Sequence, residues 1–443
     1  MSLRRWTRGP RLALFIFATL ALCGGAALRV RHAAKVAQLR AGDVSRSTRT
    51  VAEVDPHVTI GEGGLAAVSF MGVSSVEGEG DAARFIGVRT SLDRGVRWGD
   101  VQELRSPDGR FATDSMLASD GRGGLVCTWL GFHQRIARGG EPYDLEVYIA
   151  RADPSGAFGA PLHVSAGVRG SDKFLRMDKP WTARLGDGAL ATSYRVEGAF
   201  GARIQVSRTR DARTFEHTTV EEARPFGGTL ATICGEPKGP RAWVAWVDAS
   251  HGTSAEVVLR ASDDLAVTFP DERRVVVTAE GEHAVVEAPQ CVADADALFV
   301  AYGVGSLPPD DSSSAAYDAL VVARSRDGGR TFDARWKVQE RGSMLLHPAL
   351  ALLPSGDLGV LALVGSADGD THGSVRRFTL GRDGTPRGPS ITVQEGVRLV
   401  RKRAPLQGWS GDFLGFAADA DRELYAFGVN GGETIEPAHV RVR

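Results

Sequence analysis

Asparagine occurs once in 443 residues, at Asn430. Gly431-Gly432 follows it, so the chain has no Asn-x-Ser/Thr glycosylation acceptor. Lysine is almost as scarce, 6 against 47 arginines. Both scarcities read as marks of a GC-rich genome, so the arginine surplus carries little functional weight by itself. Four cysteines exclude a disulfide scaffold. A formal net charge of −1 lacks the excess of basic charge that non-specific nucleic-acid binding needs, and no nucleic-acid partner is expected. That low charge, with 43% hydrophobic residues, also excludes a disordered chain. No long helical pattern follows residue 41. There is no Gly-x-Ser-x-Gly elbow, P-loop, His-Glu-x-x-His or dinucleotide fingerprint, and no zinc-like Cys/His spacing. No metal and no cofactor is expected.

Glycine is abundant instead, 54 residues without a three-residue period. Many glycines mean many tight turns, and many turns mean many short strands. The N-terminus differs from the rest. Arg4, Arg5, Arg8 and Arg11 precede an uncharged run over 12–28. Residues 1–28 therefore read as a signal peptide or an N-terminal membrane anchor, with 29–47 as a linker. A lipoprotein reading through Cys23 is weaker, because Leu20-Ala21-Leu22 puts a bulky residue where a small one is wanted. Each fate places the remainder outside the cytoplasm, secreted or held at the membrane by residues 12–28.

From residue 48 to 443 the sequence repeats. Ser325-Arg326-Asp327-Gly328-Gly329-Arg330-Thr331-Phe332 has counterparts at 262–269 and 91–98, weaker copies at 151–158 and 381–384, and a shortened copy at 209–215. Its aspartates are Asp93, Asp153, Asp211, Asp264, Asp327 and Asp383, about 58 residues apart. The template Ser/Thr-x-Asp-x-Gly-x-Thr-Phe/Trp reads as a hairpin turn. The carboxylate accepts turn N–H groups, Gly takes positive φ, and the aromatic starts the outgoing strand. Apolar runs surround it, such as 242–246, 297–302 and 319–324. Four antiparallel strands per 58 residues make one propeller blade.

The template resembles the Asp-box, or BNR repeat, of the sialidase superfamily. That resemblance implies an all-β fold, a β-propeller of four-stranded antiparallel blades, with the Asp-box aspartates structural. Innermost strands are expected near 57, 114, 179, 230, 289, 348 and 413. That gives seven blades, with six, the sialidase number, as the alternative. Residues 411–443 have room for three strands, and 48–54 are expected to add the fourth and close the ring. Loops are expected at 131–143 and 303–317, and a solvated basic loop around Arg398, Arg401, Lys402 and Arg403.

Sialidases grip a substrate carboxylate with three arginines, the first in an Arg-Ile-Pro motif, and use a tyrosine nucleophile activated by glutamate. Here Arg135-Ile136 and Arg203-Ile204 lack the proline. Tyr425 lies in an apolar strand, and Tyr317 is the one loop-like alternative. Asp114 falls loosely where the family's acid/base aspartate would, and is the catalytic candidate. The starts of the innermost strands carry Asp55, His57, Asp178, Lys179, Glu287, His347, Trp409 and Asp412. They read either as a ligand-binding funnel over the central channel or as ordinary caps and turns. Asp178-Lys179-Pro180-Trp181 and Gly411-Asp412-Phe413 look like segments of secreted sialidase-like propellers. Cys127, Cys234 and Cys291 are read first as small buried hydrophobes, with an inter-blade Cys234–Cys291 bridge as the alternative. The expected function is binding of a glycan or protein ligand at the cell envelope, by a monomer. The alternative is a glycoside hydrolase of the superfamily, of exo-α-sialidase type or related.

Overall fold

Four strands joined by tight turns recur six times, and a three-stranded sheet follows. The computed structural model describes residues 50–74, 83–134, 142–168, 176–198, 201–224, 229–250, 255–285, 287–305, 319–340, 343–366, 372–398, 413–429 and 436–442. The leader, the linker, Tyr317, Arg401, Lys402, Arg403, Trp409 and Asp412 lie outside the described residues. Among the described residues no helix is long and apolar enough to cross a membrane.

Every sheet is an antiparallel meander hydrogen-bonded in chain order. Blade 1 comprises Thr50–Ile60, Ala66–Ser74, Ala83–Ser91 and Gln102–Leu104; blade 2, Phe111–Ser119, Leu125–Gln134, Pro142–Ala152 and Leu162–His163. Blade 3 comprises Arg176–Arg184, Leu190–Gly198, Gly201–Thr209 and Glu216–Arg224; blade 4, Thr229–Gly235, Ala242–Asp248, Glu256–Ser262 and Arg274–Val276. Blade 5 comprises Gln290–Ala293, Leu298–Val304, Ala319–Ser325 and Ala334–Val338; blade 6, Ser343–Leu352, Leu358–Ser366, His372–Leu380 and Ile391–Arg398. The terminal sheet is Gly415–Ala418, Glu423–Val429 and Glu436–Val442. First strands of successive sheets pack side by side, and Gly415–Ala418 returns to Thr50–Ile60. The six four-stranded blades and the terminal sheet thus form a closed propeller.

Three expectations need correction. Of the expected closing segment 48–54, the described residues 50–54 do not join the terminal sheet: Thr50–Ile60 is the innermost strand of blade 1, paired with Ala66–Ser74. The ends meet instead by side-chain packing of Val58, Ala66 and Val68 against Leu424 and Ala426. Cys234 and Cys291 are joined by a disulfide, with their Cα atoms 5.8 Å apart. Their equivalent positions on adjacent innermost strands bring them within bridging reach. Cys127 alone fits the buried-hydrophobe reading. The loop expected at 131–143 is also partly strand, since pairing runs to Gln134 and resumes at Pro142.

Each blade is pressed between two others, which explains the continuous apolar runs. Ala242–Asp248, Leu298–Val304 and Ala319–Ser325 are buried at every residue. The core is divided into seams between neighbouring sheets. Blades 4 and 5 share Trp243, Val257, Val300 and Tyr302, for example, and blades 1 and 2 share Ile86, Val88, Trp129 and Tyr148.

The repeat turns lock these seams. Asp327 Oδ1 accepts the N–H groups of Arg330 and Thr331, both at 2.9 Å, and Ser325 Oγ accepts that of Gly329 at 2.8 Å. Asp93, Asp153, Asp211, Asp264 and Asp383 accept N–H groups of Arg97, Ser155, Arg213, Thr268 and Thr385 in the same manner. The resulting loop rests on the preceding sheet. Trp243 Nε1 of blade 4 donates to Gly328 O of blade 5 at 3.0 Å, and Arg324 Nη1 of blade 5 donates to Arg382 O of blade 6 at 2.5 Å. Gly329 shows why glycine is needed there: its φ is +83°, and a Cβ would lie 2.7 Å from Leu259 of blade 4. The turn of blade 1 rests on the terminal sheet in the same way, Arg94 pairing with Asp421.

Candidate functional site

Five innermost strands share one irregularity. Pairing slips between Val54 and His57 in blade 1, Thr113 and Met116 in blade 2, and Thr229 and Thr232 in blade 4. It slips opposite Ser193–Arg195 in blade 3 and between Leu346 and Ala349 in blade 6. Each slip holds a non-glycine residue in the left-handed region: Asp55 (φ 54°), Asp114 (53°), Lys179 (47°), Leu230 (48°) and His347 (52°). A bulge re-aims side chains, and such conformations cost about 1–3 kcal/mol each and cluster at binding and catalytic sites. Four of these five are sequence candidates.

Lys179 Nζ donates to Asp114 Oδ1 at 2.8 Å, joining blades 2 and 3. The pair is largely buried, with side chains 16% and 5% exposed. The same ammonium lies 5.1 Å from the ring centroid of Phe413, near the terminal sheet. Asp178, beside Lys179, faces Arg195 Nη1 at 4.0 Å. Burial raises the Asp178 carboxyl above the usual range; Lys179 opposes this, and the Asp114 charge adds to it. Across the ring, Glu287 Oε1 lies 2.6 Å from His347 Nδ1, and Glu287 Oε2 accepts the His347 backbone N–H at 3.1 Å. Asp55 is fully buried in blade 1.

The centre of the ring is plugged. Met116, Ala288 and Phe413 form a buried apolar cluster with Trp181 and Leu230 against it. Trp181 meets Phe413 edge to face at 5.8 Å and His57 at 5.6 Å, so blades 1 and 3 and the terminal sheet converge on one indole. His57 Nδ1 accepts the backbone N–H of Leu117 at 3.2 Å. Burial lowers its pKa to about 4, which keeps the ring neutral above that pH.

The structure therefore brings together Asp114, Asp178 and Lys179, sets His57 nearby, and pairs Glu287 with His347. Trp181, Phe413, Met116, Leu230 and Arg195 were not among the sequence candidates. Leu230 had a signal, the same repeat position as Asp55 and Asp114. Tyr425 is buried, stacked on Phe416 at 5.1 Å, with its hydroxyl donating to Glu423. The buried arginines Arg208, Arg260, Arg324 and Arg377 occupy third strands and pair with Asp187, Glu221, Asp333 and Glu423. Among the described residues no group of three His, Cys, Asp or Glu is placed to hold a metal ion.

No family model matches the chain, and no curated protein matches it. Solved structures do resemble it. A protein of unknown function from Dyadobacter fermentans DSM 18053 is 16% identical with a TM-score of 0.50, over 90% of this chain and 95% of that one. Hadza microbial sialidase Hz136 is 15% identical with a TM-score of 0.48, over 72% of this chain and 64% of that one. Trypanosoma rangeli sialidase, in complex with the inhibitor DANA, is 11% identical with a TM-score of 0.42, over 88% of this chain and 55% of that one. At these identities the likeness is one of fold.

Proposed function

We propose that this chain is an extracytoplasmic sialidase-like propeller of Asp-box repeats that binds a glycan or protein ligand at the mouth of its central channel. One observation carries the reading: the same left-handed bulge in five innermost strands presents Asp55, Asp114, Lys179, Leu230 and His347 at one level of the ring. Caps that merely began strands would not need backbone strain repeated five times. The Cys234–Cys291 bridge supports an oxidising compartment, as does the leader over 1–28, cleaved or kept as an anchor.

Binding without sialidase chemistry is the first reading, because Asp114 is engaged by Lys179 and the Arg-Ile-Pro motif is missing. A hydrolase is the second, and Asp178 favours it: a carboxyl raised by burial, beside a second carboxylate, suits a general acid. A fluorogenic glycoside panel and a glycan array on the purified protein separate the two. Array binding without turnover is the expected result. Turnover abolished in both Asp114→Ala and Asp178→Asn would establish the hydrolase. Neither binding nor turnover, with no envelope protein captured, would remove the ligand site altogether.

A further inference from the structure

Two nitrogen donors at the channel mouth are left over by the fold. His57 takes the Leu117 N–H on Nδ1, so the proton of the neutral ring sits on Nε2. The second donor is Trp181 Nε1–H. Neither nitrogen meets a hydrogen-bond partner among the described residues, and neither belongs to the sealed polar atoms of the interior. Both side chains are half-buried. The fully buried indoles of Trp129 and Trp243 donate to Ser106 Oγ and Gly328 O within the fold, while Trp246 Nε1 is sealed in the interior, out of reach of a ligand. A polar N–H in a partly desolvated place finds a partner in protein, water or ligand.

The two rings stand nearly perpendicular, at 88°, with centroids 5.6 Å apart. They come from blades 1 and 3, which share no seam, so only the channel axis brings them together. Trp181 packs against Met116, Ala288 and Phe413, apolar side chains that offer it no acceptor. A half-exposed indole beside fixed donors is a surface suited to a sugar ring, whose C–H face packs on the aromatic while its oxygens accept the N–H groups.

We propose that His57 Nε2–H and Trp181 Nε1–H are a paired donor site for the hydroxyl or amide oxygens of a neutral oligosaccharide. This rests on the reading of the mouth as a ligand site and narrows it to a glycan. Because the donors are uncharged, recognition does not depend on a sugar carboxylate.

The test is an NMR titration of the whole extracytoplasmic chain, 15N-labelled on His and Trp, with tetra-N-acetylchitotetraose and, in parallel, with sialyllactose. The neutral sugar is expected to shift the His57 Nε2 and Trp181 Nε1 signals together. Trp181→Phe, which keeps an aromatic ring but loses the donor and part of the ring face, should weaken binding by at least roughly three- to tenfold, the range for one neutral hydrogen bond. His57→Gln, which restores an N–H donor, should lose less than His57→Phe. A sugar that binds while both signals stay still overturns the donor pair and leaves a ligand site elsewhere on the ring. Shifts with sialyllactose alone overturn the neutral specificity. No binding of either sugar overturns the glycan class, whereas capture of an envelope protein would keep the mouth as a ligand site.

Discussion

Lys179→Met is the most informative single change. It removes the ammonium 2.8 Å from Asp114 and leaves that carboxylate, 4% exposed, inside a seam between blades 2 and 3. Removing one partner of a buried pair costs about 3–5 kcal/mol, because the remaining charge stays desolvated. The lysine side chain keeps 16% exposure, so the lower figure, about 3 kcal/mol, applies. Two further variants complete a cycle. Asp114→Leu leaves a lysine long enough to reach water, and should cost less than Lys179→Met. The double variant replaces both charges by apolar groups beside Met116, and should recover most of the loss. Equilibrium denaturation in urea, with tryptophan fluorescence as the probe, reads all three. A cost below about 1 kcal/mol for Lys179→Met, the value of an exposed pair, would refute the reasoning. It would mean that water reaches Asp114 and that the ion pair does not cement the seam.

Other expectations follow from the turns and the bridge. Asp327 has its pKa lowered to about 2: burial alone would raise it, but hydrogen bonds from Thr331, Ser325 and the Arg330 N–H outweigh that. A depressed folded pKa gives stability that is complete above the unfolded value near 4 and is lost as pH falls towards 2. Near-UV circular dichroism should show that loss between pH 4 and 2, with a shallower slope in Asp327→Asn. Ala212 holds a φ of 55° at the site where other turns place glycine, so Ala212→Gly should raise stability by up to about 1 kcal/mol in urea denaturation. The Cys234–Cys291 bridge spans 57 residues, so Cys234→Ala with Cys291→Ala should cost about 4 kcal/mol on the chain-entropy account. A matching drop in the wild type under reductant, and none in the variant, would tie that loss to the bridge.

Most of the architecture could be read from the sequence because the repeat is a local device. Asp327 and Gly329 act within one turn, so their spacing in the chain is their geometry. The closure of the ring was misread for the opposite reason. Residues 50–54 pair with the next strand, 66–74, whereas the terminal sheet lies at the other end of the chain, and the apolar pattern common to both does not decide between them. The disulfide was visible as an equivalence of repeat positions, yet its formation depends on two innermost strands lying side by side. Asp114, Lys179 and Asp178 stand out in the sequence because polar residues are conspicuous where apolar strands begin. Trp181 and Phe413 stand out in the sequence only as members of their segments, because nothing local shows that the two rings meet. Their meeting across the channel joins blade 3 to the segment ahead of the terminal sheet, 232 positions apart in the chain.

The closing seam has one more consequence. Elsewhere the next blade is attached by covalent chain as well as by packing. Between the terminal sheet and blade 1 no strand is shared among the described residues, and the join is made by side chains, Val58, Ala66 and Val68 on Leu424 and Ala426 with Ile60, Trp98 and Ala417 against them, and Arg94 reaching Asp419 and Asp421. The molecule is a clasped bracelet whose catch is made of ordinary blade contacts. Joining its ends and cutting a turn between two other blades would move the catch without changing any seam.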